Sequence, residues 1–151
     1  MKDLERFVEA QASMYAVALK EIEQGCKQSH WIWFIFPQHE ALGYSSMAKF
    51  YGIRDLEEAR AYLAHPLLGA RLEEISRALL AHRGKAATAI LGEVDALKVR
   101  SSMTLFELVR GESVFTQVLE AFYNGERDAK TLTLVNPPTR RGLGGFLKGA
   151  F

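Results

Sequence analysis

A mainly α fold is predicted for this sequence: a single compact domain of orthogonally packed helices followed by a Gly-rich C-terminal tail. Three observations predict it. Large apolar residues recur at three- and four-residue spacing through most of the chain, the period of amphipathic helices. Residues that start and stop helices stand at the ends of these stripes, among them Asp55, Gly84 and the Asn124-Gly125 pair. The continuous helical patterning leaves few partners for a sheet, which argues against a sandwich or a parallel α/β layer. At 151 residues and 48% hydrophobic composition, the chain suits one domain that buries about two-thirds of its unfolded surface.

The first helix is read from Leu4, Phe7, Val8, Met14, Tyr15, Leu19 and Ile22, with Gly25 ending it. Gln11 lies on the same stripe, so its amide is aimed at the interior and needs partners there: a neighbouring helix end or a ligand. Next comes Ser29-His30-Trp31-Ile32-Trp33-Phe34-Ile35-Phe36-Pro37-Gln38-His39, which holds both tryptophans and two of the four histidines. By pattern, residues 30–36 fit a short buried helix capped by Ser29 or a buried strand; the shortage of other strands favours the helix. Gly43-Tyr44-Ser45-Ser46 reads as a turn into a short helical piece, Met47 to Tyr51. Asp55 with Glu58 resembles a capping box for a helix carrying Leu56, Ala59, Tyr62 and Leu63. Pro66 is placed in the first turn of the next helix, whose stripe Leu68, Leu72, Ile75, Leu79 and Leu80 runs to about His82.

Beyond Gly84, Ala86 to Leu91 forms a short segment, and Ser101 and Ser102 read as caps in front of the apolar run from Met103 to Leu108. Val114, Phe115, Val118, Leu119 and Phe122 give one more helix, and Asp128 caps a last one with Leu132, Leu134 and Val135. The helical domain is bounded at 1–136. Residues 137–151 open with Pro137-Pro138 and read as a Pro/Gly-rich tail, in which Arg140, Arg141 and Lys148 offer a phosphate or partner grip.

Charge is balanced, 19 basic against 18 acidic residues, so no global field steers nucleic acid or an anionic membrane. Cys26 is the sole cysteine, which excludes an intrachain disulfide and suits a reducing compartment. With no apolar leader and no bilayer-length apolar run, the expectation is a cytoplasmic chain without a membrane partner. The histidines His30, His39, His65 and His82 form no HExxH pair, and neither a phosphate-binding glycine loop nor a GxSxG elbow is present. Neither a metal nor a cofactor is expected.

What remains is an aromatic wall edged by polar groups. Trp31, Trp33 and Tyr44 offer flat faces; Gln11, His30, Gln38, Ser101 and Ser102 offer amides, a ring nitrogen and hydroxyls. Such a set suits a planar heterocycle, stacking supplying area and polar atoms fixing orientation. The same run also reads as plain core, with His30 bonding a backbone carbonyl.

These segments carry a family resemblance. Phe7-Val8-Glu9-Ala10-Gln11, the Ser29 to Gln38 run, Leu42-Gly43-Tyr44-Ser45, Tyr62-Leu63-Ala64-His65-Pro66 and the segments Asp95 to Lys98 and Ser101 to Phe106 resemble the bacterial domain of unknown function 1810 family over about residues 4 to 135. Its members are sometimes labelled calpastatin, a disordered inhibitor, and a chain with 48% hydrophobic residues in capped helices does not fit that label. Phe7, Ala10 and Gln11 are also faintly similar to the NADAR families, which resemble helical N-glycosidases acting on ribosylated heterocycles and ADP-ribosylated bases. That similarity implies a nucleotide-derived ligand, ADP-ribose-like or a ribosylated heterocycle, bound or hydrolysed. Hydrolysis of an N-glycosidic bond needs an acid for the departing base and a group that places water, and His30, His39, Asp95 and Glu107 are the candidates. The alternative reading is a non-enzymatic interaction module, and exposed aromatics would also allow a homodimer.

Overall fold

A computed structural model describes residues 3–135. Among them are nine α-helices and one short 3-10 helix: α1 (Glu5–Gln24), α2 (Ile32–Ile35), the 3-10 turn (Glu40–Leu42), α3 (Ser46–Phe50), α4 (Leu56–Ala64), α5 (Leu68–Leu80), α6 (Ala87–Leu91), α7 (Glu93–Arg110), α8 (Val114–Tyr123) and α9 (Ala129–Val135). Pairing among the described residues is limited to isolated bridges, His39 with Ile53 and Arg83 with Lys85. The tail predicted at 137–151 lies outside the described residues.

Two helices organise the packing. α5 lies against α1, α4 and α8, while α7 lies against α4, α6, α8 and α9. Between them runs a chain of rings: Phe7 meets Tyr62 edge-on at 5.1 Å and 87°, Tyr62 meets Phe106 at 5.2 Å, and Phe106 meets Phe115 at 6.1 Å. These rings come from α1, α4, α7 and α8, so one aromatic column ties four elements together. Each fully buried ring of this kind contributes about 1.5–3 kcal/mol relative to leaving it in water.

Local chemistry sets the ends of the helices. Gly25 closes α1 in the left-handed region at φ +79°, and Asn124 does the same for α8 at φ 55°. Asp55 accepts the Glu58 N–H at 2.9 Å as expected of a cap, but the Glu58 carboxylate turns to the N–H of Arg54 at 2.8 Å. Asp128 accepts the Thr131 N–H at the start of α9. Three expectations are corrected. Trp31, not Ser29, stands at the N-cap of α2, because the Ser29 hydroxyl is taken by Glu21. Pro66 precedes α5 rather than opening it, and the His65 ring nitrogen accepts from the Leu67 and Leu68 N–H groups where the helix begins. Ser101 and Ser102 cap nothing: α7 runs unbroken through them, with Ser101 and Thr104 donating to the carbonyls of Leu97 and Arg100 one turn back.

Residues 36–54 form a strap across this helical core. The His39–Ile53 bridge joins its two ends, and Arg6 of α1 reaches under it to donate to the carbonyls of Phe50 at 2.7 Å and Gly52 at 2.8 Å. Arg6 is buried and also pairs with the buried Glu58 at 3.2 Å.

Candidate functional site

The aromatic run is held in place by two polar side chains of α1. Gln11 is buried, and its amide donates to the carbonyl of Phe34 at 2.7 Å and to the Tyr62 hydroxyl at 3.1 Å, while its oxygen accepts from Arg71 at 3.3 Å. Glu21 accepts the Trp31 indole N–H at 2.9 Å, the backbone N–H groups of Gln28 and Ser29 at 2.9 Å each, and the Ser29 hydroxyl at 2.6 Å. Burial opposes its charge, but those four donors outweigh burial and hold the carboxyl down at about 2. Gln11 thus fixes one end of the α2 turn and Glu21 the other.

This arrangement separates the two tryptophans. Trp31 is fully buried and its N–H is spent on Glu21. Trp33 is half-buried and lines a niche with Gln38, Tyr51 and Lys98 over an apolar floor of Ile32 and Phe36. The niche itself is small, about 10 Å³, room for one water. Among the described residues, the Trp33 indole N–H, the Gln38 amide and the Tyr51 hydroxyl make no hydrogen bond.

A charged triad borders the niche. Asp95, in the first turn of α7, pairs with Lys27 at 2.9 Å and with Lys98 at 3.7 Å. The Lys27 ammonium also donates to the Ser29 carbonyl at 2.5 Å and lies 4.8 Å from the centre of the Trp31 ring. Lys98 lies 5.5 Å from the centre of the Trp33 ring. Two lysines therefore stand over two tryptophans, linked by one carboxylate.

The other sequence-derived candidates fall at different places. Tyr44 is 88% exposed and rims an open depression of about 470 Å³ with Glu40, Gly43 and Lys49; α3 borders both this depression and the niche. His30 is exposed and makes no hydrogen bond among the described residues. His39 is buried; burial pushes its ring below the usual histidine range despite the nearby Glu40 and Asp55 charges, and its Nδ1 accepts the Ala41 N–H at 3.0 Å. Glu107 accepts from Arg127 and from Thr116, and the Arg127 hydrogen bonds hold its carboxyl below the usual range. Asp95 and Glu107 are twelve positions apart on one helix, about 18 Å at 1.5 Å per residue. Ser101 is bonded to Leu97, and Ser102 is fully buried with its hydroxyl unpartnered among the described residues.

The structure brings Trp33, Gln38 and Asp95 to one corner and keeps Glu107, Ser101 and Ser102 within or along α7. Sequence reasoning missed Glu21, Lys27 and Tyr51. For Glu21 a signal was present: a carboxylate in the last turn of a helix opposes the macrodipole, and one beside Ile22 on an apolar stripe has to find donors. Among the described residues no group of His, Cys, Asp and Glu is placed to hold a metal ion, and no helix is long and apolar enough to cross a membrane.

With this geometry in hand, the chain can be set beside known proteins. It matches the family described as "Protein of unknown function (DUF1810)" over residues 1–135. The chain belongs to that family. A solved structure with the same architecture is the conserved hypothetical protein Rv1873 from Mycobacterium tuberculosis, 44% identical, with a TM-score of 0.86 over 88% of this chain and 96% of that one. A search of curated proteins finds no match.

Proposed function

We propose that this DUF1810 protein is a binding module for a small nucleotide-derived ligand, an ADP-ribose-like molecule or a ribosylated heterocycle, held at the Trp33 corner. One observation carries the reading. Among the described residues, Trp33, Gln38 and Tyr51 line one niche with their side-chain polar groups unspent on internal partners and reachable from solvent, beside a lysine ammonium. Flat rings and convergent donors of that kind suit a planar heterocycle with an anionic substituent. The niche takes the edge of such a ligand, and the remainder lies over its mouth beside α3.

Binding is favoured over hydrolysis by the state of the candidate catalytic groups. His39 is occupied as a cap, Glu107 is held by Arg127, and Asp95 is held by two lysines. Carboxylates that cleave a glycosidic bond together stand about 5–9.5 Å apart, well short of the distance between Asp95 and Glu107.

A thermal-shift screen of the full chain against nucleosides, nucleotides, NAD, ADP-ribose and ribosylated pyrimidines tests the reading. A ligand at a hundred times its dissociation constant adds about 2.7 kcal/mol, and each kcal/mol moves the midpoint of a domain this size by roughly 2–6 °C. The expected result is a shift with one chemical class that Trp33→Ala removes. A flat screen overturns the proposal.

A further inference from the structure

We infer that Lys98 is the anion contact of this corner and that the site selects a phosphate-bearing nucleotide ligand over both its neutral nucleoside and free phosphate. The inference rests on the binding reading above and adds the charge of the ligand. Its ground is the unequal state of the two lysines on Asp95.

The Lys27 ammonium is fully engaged. Its side chain is only 6% exposed, with Asp95 at 2.9 Å, the Ser29 carbonyl at 2.5 Å and the Trp31 ring beneath it. Nothing remains for a ligand to bind. Lys98 is held far less tightly: its side chain is 25% exposed, its contact with Asp95 is 3.7 Å, and it is the lysine that lines the niche. A contact of that length is an ion pair without a hydrogen bond, so the exposed part of the ammonium keeps N–H groups for an incoming oxyanion. The triad carries two positive charges and one negative, a net single positive charge.

Aromatic and cationic contacts then act together. The Lys98 ammonium lies 5.5 Å from the Trp33 ring centre, so an anion on Lys98 places the rest of its molecule beside the indole, Gln38 and Tyr51. Free phosphate uses only the lysine, and a nucleoside uses only the aromatic and amide groups. A nucleoside monophosphate uses both.

The experiment compares adenosine with adenosine 5′-monophosphate and uridine with uridine 5′-monophosphate, alongside inorganic phosphate and ADP-ribose, by thermal shift and titration calorimetry on the full chain. The variants are Lys98→Met, which keeps the alkyl stem against Trp33, and Asp95→Asn. In the wild type a monophosphate should bind at least tenfold tighter than its nucleoside and than inorganic phosphate, as a charge-assisted hydrogen bond implies. K98M should bring the ratio of monophosphate to nucleoside affinity down to about one, whereas D95N should raise that ratio several-fold by removing the competing carboxylate. Equal binding of nucleoside and monophosphate, or a phosphate advantage that survives K98M, overturns the inference while the binding reading stands. Inorganic phosphate binding as tightly as the monophosphate also overturns it. No shift with any nucleoside or nucleotide removes the binding reading, and this inference with it.

Discussion

Glu21 shows how one residue can decide the geometry of a whole segment. Its carboxylate receives a hydroxyl, an indole N–H and two backbone N–H groups, all from residues 28–31, so the chain leaving α1 is folded onto the charge. The carboxyl sits at about 2 in the folded protein against 4.5 for the free group. A depressed folded value means the contribution is complete above the unfolded pKa and is lost as pH falls from about 4.5 toward 2. The gap corresponds to about 3 kcal/mol at neutral pH. Glu21→Gln keeps the size and loses the charge, so urea denaturation should find it less stable than wild type by roughly that amount at pH 7, with the two curves converging near pH 2. A difference that stays constant with pH would mean the charge is not what holds Trp31. Gln11 plays the neutral counterpart. Gln11→Ala leaves the Phe34 carbonyl and the Tyr62 hydroxyl buried without their donor, and about 1–3 kcal/mol should be lost in the same assay.

Among the elements, α4 and α5 meet at a closely fitted corner. Gly69 opens α5 so near to α4 that a Cβ there would stand 2.1 Å from the Leu63 carbonyl oxygen, a backbone atom that cannot swing aside. Gly69→Ala should therefore force the two helices apart and lower stability by at least 1–3 kcal/mol, the usual cost of overpacking a tight contact. An unchanged melting midpoint would show that the corner is looser than the distance implies. The same scale shows what a sequence pattern conveys. The stripes of α1 and α8 are readable because apolar spacing and a terminating Gly or Asn agree at each, and that of α5 from its apolar spacing alone, since it ends on Ala81, short of Gly84. α7 is misread because Ser101, Ser102 and Thr104 are the residue types that cap helices, and nothing local reveals that α4, α6 and α8 bury them in mid-helix. Tertiary packing overrides the local preference, as it does for the single turn of α2, which exists because Gln11 and Glu21 hold it.

At the scale of the molecule, the protein is a helical core with a strap, and the candidate site lies along their seam. The core is built on the Phe7–Tyr62–Phe106–Phe115 column, with α1, α4, α7 and α8 each contributing a ring. The strap, residues 36–54, contains only the 3-10 turn and α3 as helical elements, leaves Tyr44, Met47 and Phe50 exposed, is closed on itself by the His39–Ile53 bridge, and is joined to the core by the Arg6 fork. The candidate site was only half legible for this reason: Trp33 and Gln38 sit in a conspicuous motif and Lys98 in the polar Asp95 to Lys98 segment, but Tyr51 comes from the strap, and no local pattern encodes that these residues meet. Few buried contacts and exposed backbone hydrogen bonds mark the low-stability end of a structure. Hydrogen exchange read by mass spectrometry should therefore find amides in 40–51 exchanging through local opening, well before those of α1, α5 and α7. Arg6→Lys keeps a positive charge opposite Glu58 but cannot reach both strap carbonyls at once, since a lysine lacks the planar fork. In that variant exchange in 45–53 should rise while α5 and α8 stay unchanged, and a ligand bound at the Trp33 corner should reverse the effect by bridging strap and core. Exchange of 40–51 as slow as that of α5, in wild type and variant alike, would mean that strap and core open as one unit, and the niche would then be a fixed recess of the core instead of a seam that a ligand closes.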